Sequence, residues 1–145
     1  MLSTLIRKLD ADSYSNVKQE ESFLFDSTYT AGDKPVAGEA ASFDLAKTGD
    51  DRAVYCRAGD MADANAVIPV GIVVSVKDDV AVIRTRGFIT AEVDGSGVNI
   101  AAGDALTLGN GGHLVKHGAG DVVVAVALVA STANEAIEVF VCPSL

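Results

Sequence analysis

Two histidines, His113 and His117, are the only imidazoles in the chain. Their i, i+4 spacing would place two metal-ligating rings on one face of a helix. The glycines at 109, 111, 112, 118 and 120 argue against a helix there, and no nearby Cys or His supplies a third ligand. Both are therefore expected as solvent-exposed loop residues. A nucleophile needs a base and the base an orienting group, and no such set stands out. Gly95-Ser96-Gly97 is followed by Val98-Asn99-Ile100, with no lysine and no helix signal, so it reads as a linker and not a phosphate loop. Asp94, Asp104 and Asp121 sit beside glycines at turns without the spacing of a calcium loop. The sequence thus predicts no catalytic residues, no metal and no cofactor. Cys56 and Cys142 form no C-x-x-C pair and read as small hydrophobes in strands, left as free thiols in a reducing compartment. A disulfide would require their strands to be neighbours.

The most informative polar residues are Arg84 and Arg86. They share one strand face with Phe88 in an otherwise acidic chain. Two interpretations are open. The arginines pair with acids on a neighbouring strand, or the face is a protein contact, where Arg and aromatics are enriched.

The element that carries them is clear. From Val80 to Val93 the residues alternate. Ala81, Ile83, Thr85, Gly87, Ile89, Ala91 and Val93 point inward, and Val80, Val82, Arg84, Arg86, Phe88, Thr90 and Glu92 point outward. Around it lie other short Val-rich runs. Ala41, Phe43 and Leu45 alternate, Ala53 to Arg57 and Ala136 to Cys142 are strands, and so is Asp121 to Ala130. Val67 to Val76 contains Pro69 and Gly71, which predict an edge, a bend or a bulge. Asn110-Gly111 between Ala105–Leu108 and His113–Lys116 predicts a hairpin. Ala-Gly-Asp occurs at 31–33, 58–60, 102–104 and 119–121, which is good turn chemistry in a β protein.

Residues 1–35 differ. Leu2, Leu5, Ile6 and Leu9 form one stripe of a short helix. A helix of about ten residues is marginal alone in water, so the stripe must dock on something. Residues 14–22 are polar and unpatterned, and Phe23-Leu24-Phe25 is a short apolar patch with a strand as one option. The chain is divided accordingly into an N-terminal arm or short helix, 1–35, and a β-rich domain, 36–145.

With 145 residues, 49% of them apolar and only 6% aromatic, the chain can bury roughly two-thirds of its unfolded surface as one domain. The expected fold is mainly β, a compact barrel or sandwich packed through Ala, Val and Gly. The formal net charge of −9 repels phosphate backbones and anionic membranes, so neither nucleic acid nor membrane is an expected partner. The first ten residues lack an uninterrupted apolar core, so no signal peptide is expected.

Several segments together bear a likeness to a known group. Gly87-Phe88-Ile89-Thr90-Ala91 continues to Val98-Asn99-Ile100-Ala101-Ala102-Gly103-Asp104-Ala105-Leu106. Gly112-His113-Leu114, Val123 to Leu128 and Ile137 to Val141 follow, and Val67 to Val73 supplies the matching strand of the first half. Over residues 36–145 this resembles the capsid cement, or head-decoration, proteins of tailed bacteriophages. The resemblance implies a structural virion protein, made in the host cytoplasm, that binds the outer capsid surface through the major capsid protein and stabilises the shell as a homotrimer. It implies shell contacts at the arm, and the Arg84, Arg86 and Phe88 face is the other expected shell or subunit contact. Another β-structured virion or tail component, or a small ligand-binding β-barrel, is the alternative.

Overall fold

The computed structural model describes residues 18–144. The arm residues Leu2, Leu5, Ile6 and Leu9 lie outside the described residues. Among those described, nine strands form one continuous hydrogen-bonded system organised around a single long strand, β5 (Val80–Asp94).

The first half of β5 belongs to an open sheet. It pairs antiparallel with β1 (Gln19–Leu24) and with β4 (Pro69–Lys77). β4 pairs in turn with β2 (Ala40–Phe43), and β2 with β3 (Cys56–Ala58). The second half belongs to a closed ring. From Gly87 to Asp94 it pairs antiparallel with β9 (Asn134–Ser144), and Val93 meets Leu114 of β7 (Leu114–Lys116) in parallel. β6 (Ala105–Leu108) joins β7 to β8 (Val123–Ala127), and β8 pairs with β9, completing five strands. The expected β-rich barrel is what the chain builds, with extra strands beside it.

Two glycines make this arrangement possible. Gly87 has φ +115, a region that L side chains rarely adopt, and a Cβ there would lie 3.2 Å from Cα of Lys18. Here β5 exchanges β1, whose register reaches Arg86, for β9, whose register begins at Gly87. Gly71 sits where β4 crosses β5 closely: a Cβ would fall 2.0 Å from the carbonyl oxygen of Arg84.

The strand containing Pro69 and Gly71 is interior, flanked by β2 and β5, so the edge among the expected options is not realised. Pro69 is its first residue, where a missing N–H is tolerated, and the register does shift, between Val73 and Ser75. Residues 18–35, grouped with the arm from sequence, include β1, whose Phe23 is buried, as is Phe25 just beyond it. β1 is otherwise exposed on both faces, which is why Gln19-Glu20-Glu21-Ser22 carries no apolar pattern. The strands expected at 53–57, 113–116 and 121–130 are shorter, at Cys56–Ala58, Leu114–Lys116 and Val123–Ala127.

There are two buried clusters, and the one inside the barrel also takes in Ala40 and Ile72 from the open sheet. The barrel is filled by aliphatic side chains, among them Val93, Ile100, Leu106, Leu108, Leu114, Val124 and Val139. Burying each Leu or Ile contributes about 2 kcal/mol. The open sheet covers Phe23, Phe25, Cys56, Val70, Val73 and Ile83, with Phe43 edge-on to Phe23 at 5.8 Å.

Candidate functional site

The outward row of β5 lies beside the outward row of β9, because Phe88 pairs with Phe140 and Thr90 with Glu138. Cross-strand aromatics at such positions meet directly. The Phe88 and Phe140 rings are 5.0 Å apart at 72°, edge to face. Phe88 is nonetheless 47% exposed, and Leu128 and Val129, at the end of β8, are 38% and 42% exposed. Phe88, Ile89, Thr90, Leu128 and Glu138 line a surface hollow of about 380 Å³.

The two arginines do different work. Arg84 faces Glu20 across the β1–β5 ladder. Its guanidinium donates to the Glu20 carboxylate and to the Phe88 carbonyl oxygen, and its side chain is largely buried. It is the neighbour-strand pair that sequence left open as one of two options. Arg86 is exposed, has no carboxylate partner among the described residues, and lies over the Phe140 ring at 5.5 Å from its centroid. That geometry is a cation–π contact. Arg86 and Phe88 thus stand together on an open face, while Arg84 anchors the strand beneath them.

The histidines are not free loop residues. His113 is half-buried with Nε2 3.7 Å from Glu39 Oε1, and His117 Nε2 is 2.8 Å from the carbonyl oxygen of Asp121. Burial, with Glu92 nearby and His113 opposing, pushes the Glu39 carboxyl up. Asp94, Asp104 and Asp121 each accept a backbone N–H within their own turn, from Ser96, Ala101 and Gly118. Among the described residues, no group of three or more His, Cys, Asp or Glu side chains could hold a metal ion. Both cysteines are free thiols. Burial pushes Cys56 up to about 12 and also raises Cys142, with Arg86 opposing in part.

Sequence reasoning missed a buried charged cluster at the rim of the open sheet. Arg57 is buried in β3, with Nη2 2.8 Å from Asp63 and 3.1 Å from Asp33, and Nη1 3.6 Å from the fully buried Asp44. Tyr29 donates its hydroxyl to Asp44 at 2.8 Å, and Arg57 lies over the Tyr29 ring. Lys47 adds a 2.7 Å bond to Asp26 and covers the Tyr55 ring. The hydrogen bond from Lys47 holds the Asp26 carboxyl well below the usual carboxylate range. These residues are scattered over 26–63 with no spacing rule. A single arginine inside a small-residue strand was the one available signal. The cluster ties loops to the sheet.

No protein-family model matches the sequence, and no curated protein matches it either. Among solved structures, the fold is similar to the head fiber gp8.5 N base in bacteriophage phi29. The TM-score is 0.55 at 16% identity, over 88% of this chain and 97% of that one. At that identity the likeness is one of fold.

Proposed function

We propose that this chain is a structural virion protein that attaches to the outer surface of a phage capsid and stabilises the shell. The observation that carries this reading is the fold likeness to a head-fibre base, which spans nearly the whole of that chain. The acidic surface and the open Arg86–Phe88 face support it: the first turns the molecule away from packaged nucleic acid, and the second offers a protein contact. On this reading the protein is made in the host cytoplasm, binds the major capsid protein, assembles as a homotrimer and catalyses no reaction. The stripe Leu2, Leu5, Ile6 and Leu9 contributes to shell or subunit docking. A ligand-binding barrel is less well supported, because packed aliphatic side chains fill the barrel interior.

The neighbour's being a fibre base favours a second reading, in which the chain seats a fibre on the shell without strengthening it. One experiment separates them. Purified protein is mixed with expanded capsids and with unexpanded shells, and binding and capsid melting are measured. Binding with a higher capsid melting temperature supports the cement role, and binding without it supports the fibre base. No binding to capsids overturns both.

A further inference from the structure

We infer that the outward face of β5 and β9, centred on Phe88 and Phe140, is where one copy of this chain meets another. The inference rests on the proposed function only in assigning the face to a sister copy instead of the shell.

The argument starts from charge. Two copies of a chain with net charge −9 repel one another unless they meet where the acidic surface is interrupted. This face is such a place. Along it, the side chains run from Arg86 through the Phe88–Phe140 pair to Thr90 and Glu138. Neither Arg86 nor Glu138 has an ion-pair partner among the described residues, since the cation in the Glu20 pair is Arg84. The face therefore presents a cation at one end, an apolar centre and an anion at the other. Round a three-fold axis the two ends meet head to tail, with Arg86 of one copy opposite Glu138 of the next.

The apolar centre adds the driving force. Phe88 and Leu128 are exposed around one hollow, whereas the inward row buries Ala91, Val93, Ile137, Val139 and Val141 and half-buries Ile89. Grouped exposed apolar side chains rimmed by charge mark protein contacts. Cys142 continues the outward row of β9 near Arg86 and supplies a native reporter, while Cys56 is buried and stays silent.

The test uses the full chain. Sedimentation over a range of protein concentrations should show self-association. Arg86→Glu alone and Glu138→Arg alone should each weaken it by about tenfold or more, since each sets like charges against each other. The double variant R86E/E138R should restore it. Maleimide labelling of Cys142 in the unsubstituted protein should slow as association proceeds. All these positions are at least partly exposed, and circular dichroism should report an unchanged β spectrum. A monomer at all concentrations, or single variants that associate as well as the parent, would overturn the inference. A monomer that still binds capsids removes the sister contact and leaves the proposed function standing. An oligomer broken by the single swaps that ignores capsids does the reverse.

Discussion

The closed barrel and the open sheet share β5 but hold themselves together by different means. In the barrel every strand has two neighbours, so the ladder has no edge to protect and a purely aliphatic interior suffices. The open sheet ends at β3 and β1. Its core mixes Phe23, Phe25 and Phe43 with aliphatic side chains, and its β3 side is fastened by the cluster of Arg57, Asp44, Tyr29, Asp33 and Asp63. Closure makes polar fastening unnecessary. Where the sheet stays open, loops must be pinned onto it, and here charge and aromatic rings do the pinning.

Five substitutions probe that contrast. Gly71→Ala strikes the seam, where a methyl would overlap the Arg84 backbone. It should cost about 4 kcal/mol or more and yield little soluble native protein. Leu106→Ala opens a cavity in a ring that cannot collapse by sliding an edge. A loss of about 3 kcal/mol is expected by urea denaturation, with hydrogen exchange accelerated in both halves. Arg57→Ala leaves Asp44 buried with only the Tyr29 hydroxyl and a backbone amide for company. About 2–3 kcal/mol should be lost, toward the low end for a broken buried pair because Asp33 and Asp63 reach solvent. Exchange should quicken in β2 and β3 well before the barrel. Equal acceleration everywhere would mean that the two halves are one cooperative unit.

Tyr29→Phe removes a single hydrogen bond to Asp44, and about 1 kcal/mol should follow, visible as a small drop in the urea midpoint. The smallest effect belongs to Glu39→Gln, between the halves. Burial raises the Glu39 carboxyl above its ordinary value of 4.5, so ionisation at neutral pH opposes folding. The variant should melt slightly higher than the parent at pH 7. That advantage should shrink as pH falls through the raised folded value and vanish below the ordinary one. Asp26 has the opposite sign. Its lowered carboxyl stabilises above the ordinary carboxylate range, and that contribution fades as the pH drops below it.

The alternation of β5 was legible because each of its side chains answers to a local period of two, and both faces of the strand differ in burial. The Asn-Gly hairpin was legible for a similarly local reason. Closure of the ring was not, since it depends on Gly87–Asp94 finding Asn134–Val141 far along the chain. Only the Phe23-Leu24 end of β1 was legible, because the Gln19–Ser22 stretch has both faces wet and shows no apolar rhythm. Arg84 and Arg86 look equivalent in sequence, and only the position of Glu20 on β1 separates an anchored arginine from an open one. The Arg57 cluster left no trace because its members converge from turns whose paths no short motif encodes.

The fifteen residues of β5 extend about 50 Å and bond to four other strands along that length. A pull applied between the two halves along this axis loads that strand, together with the backbone bonds that tie Ala40, Gly59 and Met61 to Gly112 and Gly109. Its ladders then bear the load in shear, with many hydrogen bonds strained together, and do not unzip one bond at a time. The molecule should consequently resist stretching along β5 far better than peeling at β3 or β1. On the proposed attachment to a shell, orientation on the surface would matter as much as affinity for it.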